Sequence, residues 1–141
     1  MKIFLDANII VSVLNKEYPV YGYTSRILSL ANNKRFQLFT SPVCLAIAFY
    51  FSEKKSGTSL AKTKIEILSK NISIAGIGEK EVLLAITNKK VKDFEDGLEY
   101  YAAFHHKCNY IITEDVSDFY FSEIAVVDSK TFIERLIDGK L

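Results

Sequence analysis

Acidic side chains follow short apolar segments near both ends of this chain. Asp6 comes directly after apolar residues 3–5, and Asp115 follows apolar residues 110–112. Asp96 lies near the start of a helix-compatible segment between them. Crowded carboxylates repel one another unless a cation lies among them, and their oxygens are the ligands that Mg²⁺ and Mn²⁺ prefer. The pattern therefore predicts a divalent-cation site. Two further acidic residues accompany these three: Asp93 and Asp118.

Such a cluster is suited to metal-assisted hydrolysis of a phosphodiester. One ion can activate a water molecule while the same ion, or a second one roughly 4 Å away, neutralises charge on the leaving oxygen. The protein then needs no nucleophilic side chain. Asn8 and Thr113 lie close in sequence to the acidic residues and can support the site by hydrogen-bonding the carboxylates. Asn8 equally fits a helix start, and Thr113 equally fits a strand.

Each acidic residue also has a structural explanation. Asp6 and Asp93 can cap helix N-termini, and Asp96 can interact favourably with a helix dipole from the first turn. Asp115 and Asp118 follow a predicted strand, where Asx turns are frequent. The joint pattern favours the functional interpretation, because the carboxyl ends of parallel strands meet at one edge of a sheet.

Short apolar segments alternate with amphipathic ones along the chain. Ser41 and Pro42 are typical of a helix start, as N-cap and first-turn proline. The alternation predicts one α/β domain over residues 1–141, with a mainly parallel sheet covered by helices on both faces. The predicted strands cover residues 3–5, 36–40, 72–77, 110–113 and 124–127.

The helix predicted after Asp93 is expected to carry part of the site. Its residues Phe94, Leu98, Tyr101 and His105 share one face, which helical spacing predicts to be the side that packs against the core. Asp96 then lies close to the amino end of this helix, the end expected to point toward the acidic edge of the sheet.

Composition limits the classes of partner. A formal net charge of +1 provides no global field for a polyanion, so nucleic-acid binding must depend on local basic patches, of which Lys54 and Lys55 are candidates. Two separated cysteines, Cys44 and Cys108, are typical of free thiols in a reducing compartment, which indicates a cytoplasmic protein. The start of the chain lacks the pattern of a signal peptide, and the apolar run 43–51 is too short to cross a membrane.

Three segments resemble the PIN domain family of VapC-like toxin ribonucleases: LDANII at 5–10, DGLEYYA at 96–102 and IITEDVSDF at 111–119. The resemblance covers essentially the whole chain and implies a three-layer α/β/α sandwich. It also implies Mg²⁺- or Mn²⁺-dependent RNA cleavage, frequent homodimerisation and often a cognate antitoxin protein. By this resemblance Asp6, Asp96 and Asp115 are catalytic metal ligands, with Asp118 beside Asp115.

One position departs from the family pattern. The family normally carries a glutamate about two turns into the helix that follows Ser41, whereas this chain has Ile47 there, and Glu53 lies too far along to replace it simply. The departure leaves three alternatives open. Metal affinity is weaker, another acid such as Asp93 or Glu99 takes over, or the fold binds RNA or protein without cutting.

A further alternative is a phosphoaspartyl enzyme or a receiver-type switch, in which Asp6 accepts a phosphoryl group. Phosphohydrolases of the haloacid dehalogenase type require Asp-x-Asp at this position, and this chain has Asp6-Ala-Asn8. No lysine follows a late strand as a receiver requires. The sequence therefore favours the metal-dependent interpretation.

Overall fold

The computed structural model describes all 141 residues and consists of five short parallel strands between two layers of helices. The strands are β1 Lys2–Leu5, β2 Gln37–Thr40, β3 Ser73–Ile74, β4 Tyr110–Ile112 and β5 Ala125–Val127. The helices are α1 Ala7–Asn15, α2 Tyr21–Ser29, α3 Pro42–Ser56, α4 Thr58–Asn71, α5 Glu79–Thr87, α6 Phe94–His105 and α7 Ser129–Ile137. Single 3₁₀ turns cover Leu30–Asn32 and Val116–Phe119. None of the helices is both long enough and apolar enough to span a membrane.

Both faces of the sheet are buried, which is why its strands are short apolar runs. Ile3 and Leu5 of β1 pack with Ile112 of β4 in a core on one face, beneath α1, α2, α4 and α7. Phe4 and Ile111 point to the opposite face and pack in a second core with α6. Helix α3 contributes to both cores. The predicted α/β/α sandwich is therefore confirmed, with a sheet that is parallel throughout.

The order of the strands is β3-β2-β1-β4-β5, so the first strand lies at the centre of the sheet. The chain adds β2 and β3 on one side of β1, then crosses to add β4 and β5 on the other. Leu5 pairs with Ile112, which brings the carboxyl ends of β1 and β4 side by side. In parallel sheets such a reversal of strand order leaves a crevice at that edge.

Strand β3 is much shorter than the predicted 72–77. Its ladder consists of Phe39 opposite Ser73 and Thr40 opposite Ile74. Beyond Thr40 the chain that formed β2 enters α3 at Pro42. The Ala75 N–H still donates to the Thr40 carbonyl, and the residues after Ala75 have no strand to pair with. The edge strand therefore ends where its partner ends.

The buried face of α6 differs from the predicted one. Phe94 is 47% exposed and only Leu98 of the predicted face is buried, while Tyr101 and His105 are partly exposed. Glu99 is instead completely buried. The prediction was wrong because α6 is covered on two sides, by the sheet and by α5, so its own apolar pattern does not determine which side faces inward.

Gly97 permits the close approach of α6 to the α5 region. A Cβ atom at this position would lie 2.7 Å from Cγ1 of Val91 and 3.0 Å from Cβ of Ala85. Both distances are shorter than ordinary contacts between carbon atoms. The glycine therefore sets the position of the helix turn that also carries Asp96.

A carboxylate clamp joins the start of α5 to the end of α6. Glu81 accepts a hydrogen bond from the Gly78 backbone N–H at 2.9 Å, and its other oxygen lies 2.6 Å from Nδ1 of His105. The Gly78 hydrogen bond, followed by the His105 contact, lowers the pKa of Glu81 to about 2. The ordinary value of a glutamate is higher, so this carboxylate stabilises the fold above about pH 4.5, and the stabilisation is lost as the pH falls toward 2.

We expect Glu81→Gln to lower the free energy of unfolding by about 1 kcal/mol at pH 6, since it weakens a helix cap and a charge-assisted hydrogen bond. The difference from wild type is expected to shrink as the pH falls from 4.5 toward 2. Urea unfolding at a series of pH values measures it. Glu79→Gln, in the exposed first turn of the same helix, is the matched control. A pH-independent difference would contradict the assignment.

Candidate active site

An acidic pocket of about 400 Å³ lies at the carboxyl edge of the sheet, where β1 and β4 end. Its lining contains acidic residues and no basic one. A slightly larger groove, of about 490 Å³, lies among α1, α2 and α4, but its lining contains no carboxylate. The acidic pocket is therefore the candidate site. Its lining comprises Asp6, Ala7, Asn8, Val11, Glu17, Ile47, Phe51, Asp93, Glu95, Asp96, Asp115 and Asp118.

Hydrogen bonds join the two acidic strand ends. Nδ2 of Asn8 lies 3.3 Å from Oδ2 of Asp6, 3.0 Å from Oγ1 of Thr113 and 3.2 Å from Oδ2 of Asp115. Thr113 donates to Oδ2 of Asp6 at 2.6 Å and accepts from the Asp115 backbone N–H at 3.0 Å. Asn8 also accepts from the Glu114 backbone N–H. The amide and the hydroxyl thus fix the carboxylates of Asp6 and Asp115 relative to each other.

Asp6 has a structural contact as well as a place in the pocket. Its Oδ1 accepts from the Ala7 backbone N–H at 2.5 Å, at the start of α1, while its Oδ2 is used by Asn8 and Thr113. The side chain is nearly buried, at 7% exposed. Asp6 can therefore cap α1 and belong to the site at the same time, because a carboxylate has about four acceptor positions.

The pKa of Asp96 is shifted by its burial in the pocket and by the other acids there. Burial, and then the nearby carboxylates of Asp93 and Asp118, raise its pKa to about 7, with smaller contributions from Asp6 and Glu95. Asp6 directly follows β1, Asp93 caps α6, Glu95 and Asp96 lie in its first turn, and Asp118 lies in the turn after β4. The shared pocket lining shows that these residues, distant in sequence, meet in one place. The lining contains no basic side chain to offset their charge.

Asp93 lines the pocket while capping α6. Its Oδ1 accepts from the backbone N–H groups of Glu95 at 2.9 Å and Asp96 at 3.2 Å. The pKa of Glu95 is raised by burial first, and then by Asp93 and Asp6. Asp93 is thus the N-cap of α6 in the structure. The cap also fixes the start of the helix that positions Asp96.

A second group of potential ligands shares Asp6 with the pocket and was not predicted as a cluster. Asp6, Cys44 and Glu99 each present one potential ligand atom, and these atoms lie within 4.8 Å of one another. Burial, and then Asp6, raise the pKa of Glu99 to about 11. Burial, followed by Glu99 and Asp6, also raises the pKa of the Cys44 thiol well above its usual range. The available signal was the i, i+3 spacing of Asp96 and Glu99, which puts both on one side of α6.

Ile47 lies in the lining of the pocket, among its acidic residues. The helix position at which the family pattern has glutamate therefore does face the acids, and here it presents a hydrocarbon. The next turn of α3 adds Phe51 to the lining.

The candidate substrate-binding lysines lie outside the lining. Nζ of Lys54 is 4.4 Å from the centre of the Tyr50 ring. Lys55 donates to the backbone carbonyl of Asn15 at the end of α1. Both belong to the last turn of α3, where cations also interact favourably with the helix dipole. The structure thus gives each lysine an intramolecular contact.

The donor set fits a hard divalent cation. Mg²⁺ and Mn²⁺ take carboxylate and amide oxygens, and they retain water when few protein ligands are present. The pocket offers several carboxylates and no side-chain cation, and burial, followed by repulsion from the neighbouring carboxylates, raises the pKa of Asp96. The residues that would hold such an ion are Asp6, Asp96, Asp115 and Asp118.

Comparisons with known proteins bear on this geometry. A family model described as PIN domain matches residues 2–117. Ribonuclease VapC1 of Aquifex aeolicus is 30% identical over 141 residues, covering 95% of this chain and 94% of that protein.

Two solved structures show a similar fold. VapBC-1 from nontypeable Haemophilus influenzae has a TM-score of 0.70 at 20% identity, covering 92% of this chain and 99% of that chain. VapC20 of Mycobacterium tuberculosis, described as a sarcin-ricin loop cleaving toxin, has a TM-score of 0.65 at 17% identity, with coverages of 86% and 98%.

Proposed function

Because this chain belongs to the PIN domain family, we propose that it is a divalent-metal-dependent endoribonuclease that hydrolyses phosphodiester bonds of RNA. One observation carries the proposal: acidic residues at the end of β1, at the start of α6 and in the turn after β4 line a single pocket without any basic partner. The ribonuclease name of the Aquifex aeolicus relative supports the nuclease class.

Asp6, Asp96 and Asp115 are the proposed catalytic metal ligands, with Asp118 as a further ligand. A bound Mg²⁺ or Mn²⁺ supplies charge neutralisation for the phosphate and lowers the pKa of water. The protein's contribution is to hold the carboxylates in position for the ion. Since the acids repel one another, they stay together through the surrounding fold and the network around Asn8.

Asn8, Thr113 and Asp93 are proposed positioning residues. Asn8 and Thr113 hold the Asp6 and Asp115 carboxylates by hydrogen bonds, so that neither has to reorganise when the ion arrives. Asp93 holds the first turn of α6, on which Asp96 lies. Each of these three residues would affect the ion only through the metal ligand that it positions.

RNA must approach a pocket that is itself acidic. Its phosphates are repelled by the carboxylates, whose charge a bound divalent cation would offset in part, and the overall charge of +1 gives little long-range attraction. Lys54 and Lys55, at the end of α3, remain the proposed contacts to the RNA backbone outside the pocket.

We propose an antitoxin protein as the partner and a cytoplasmic location, with this chain as the toxin of a toxin–antitoxin pair. The support is the names of the relatives, among them VapC1 and the VapBC-1 structure. A homodimer is proposed on the family resemblance. The two free, buried cysteines are compatible with a reducing compartment.

Ile47 favours a second candidate function, an RNA- or protein-binding module that has lost cleavage. It removes a carboxylate from a pocket wall that faces Asp6 and Asp96. Fewer charged ligands lower the affinity for a divalent cation. A fold that no longer holds its ion can still bind a partner.

The test is cleavage of end-labelled and internally labelled RNA. We expect no cleavage after treatment with a chelator, and internal cuts once Mg²⁺ or Mn²⁺ is added in excess, because the pocket needs a cation to accept a phosphate. Cleavage that persists in chelator would contradict the proposed chemistry. RNA retained without cuts over a wide range of metal concentrations would favour the binding module.

A further inference from the structure

The carboxyl group of Glu99 has an unusual environment. The residue is 0% exposed, and its side-chain oxygens have no partner in the protein other than the Asp6 carboxyl and the Cys44 thiol beside them. Most buried polar groups are paired, and an unpaired one is energetically costly. The proposed site in the acidic pocket does not use this residue, since Glu99 is absent from the lining. Its burial therefore requires another explanation.

The neighbours of Glu99 are the Asp6 carboxyl and the Cys44 thiol. The three ligand atoms lie within 4.8 Å of one another, and all three residues are buried. These are three of the side-chain types that ligate metals, brought together from the residue after β1, from α3 and from α6. A tetrahedral ion with ligand bonds of about 2.0–2.3 Å holds its ligand atoms roughly 3.5 Å apart. Small side-chain movements would therefore bring the three atoms into coordinating positions.

We infer that Asp6, Cys44 and Glu99 form an inner cation site that takes a divalent ion of borderline softness, of the Zn²⁺ or Co²⁺ class, in preference to Mg²⁺. A thiolate is a soft ligand that Mg²⁺ avoids, whereas Zn²⁺ binds sulfur and carboxylate oxygen together. Three protein ligands suffice for Zn²⁺, since sites of that kind keep one open position.

Asp6 connects the inner site to the acidic pocket. It belongs to the cluster and also lines the pocket, so its carboxylate is common to both sites. The inference rests on the proposed function only in this shared residue. Glu99 adds a carboxylate from α6 to the inner site, outside the pocket wall on which Ile47 lies.

Cobalt titration of the metal-free full chain tests the inference without RNA. Co²⁺ bound to a thiolate gives a ligand-to-metal charge-transfer band in the near ultraviolet. We expect wild type to develop this band and saturate at one equivalent. Absence of the band in wild type would overturn the inference, and this result depends on no variant.

Substitutions assign the ligands. Cys44→Ser is expected to abolish the band, and Glu99→Gln to weaken Co²⁺ binding at least about 10-fold. Cys108→Ser is the matched control, because this second buried thiol has Lys2 rather than an acid as its charged neighbour. A band that survives Cys44→Ser, or an unchanged affinity in a folded Glu99→Gln, would overturn the assignment.

The experiments distinguish failure of the inner cation site from failure of the proposed nuclease function. A cobalt band in a protein that cuts no RNA supports the inner site and counts against the nuclease. RNA cleavage with Mg²⁺ by a protein that shows no cobalt band supports the nuclease and overturns the inner site. Circular dichroism of the metal-free variants establishes that they are folded.

Discussion

Asp6→Asn is expected to reduce RNA cleavage at least about 100-fold at saturating Mg²⁺ or Mn²⁺, because removal even of a group that only supports a ligand typically costs 10- to 100-fold. Asp6 lies where β1 ends, and its carboxylate is held by Asn8 and Thr113. The amide keeps one oxygen for the Ala7 N–H, so the start of α1 is expected to remain intact. The loss should therefore appear in activity rather than in folding.

Single-turnover cleavage of labelled RNA measures the effect, alongside circular dichroism and thermal unfolding. Asp138→Asn is the matched control, because it removes the same charge from an exposed residue after α7 that is outside the pocket. If Asp6→Asn retained wild-type cleavage while remaining folded, the pocket would not be the active site.

Ile47→Glu is expected to tighten Mn²⁺ binding about 10-fold and to raise cleavage at limiting metal, since affinity for hard cations increases with the number of charged ligands. Ile47 lines the pocket together with Asp6 and Asp96, so the new carboxylate would join them. The same charge should lower the thermal stability of the metal-free protein, because Asp96 already experiences repulsion from its neighbours.

Metal titrations by calorimetry and cleavage at several Mn²⁺ concentrations measure the change. Ile47→Gln is the control, with a side chain of similar length and no charge. Equal behaviour of the two variants would show that this wall of the pocket does not contact the ion. Cleavage by Ile47→Glu, where wild type binds RNA without cutting, would identify wild type as the binding module.

Much of the site could be predicted from local sequence. The sequence predicts Asp6 at a strand end because an apolar run stops there, and it offers Asp93 as an N-cap because this residue directly precedes a helix-compatible segment. Both positions agree with the structure. The start of α3 at Ser41-Pro42 also follows from local sequence, and the Ser41 side chain does accept a hydrogen bond from the Cys44 N–H.

Burial on α6 could not be predicted in the same way. Its sequence favours a core face containing Phe94 and His105, yet Phe94 is largely exposed and Glu99 is buried. A helix enclosed by a sheet and by another helix has no single apolar stripe, and the approach of α5 at Gly97 determines its rotation. The Asp6, Cys44 and Glu99 cluster follows from that rotation.

The sequence by itself determined which residues end strands, which ones cap helices and which carboxylates are available, because these properties depend on neighbours along the chain. Only the tertiary structure decided that β1 lies between β2 and β4, which brings Asp6 beside Asp115. Strand order depends on long-range pairing and on the packing of helices on both faces of the sheet. The convergence of the acidic residues is therefore a property of the tertiary structure, and no single segment of the sequence contains it.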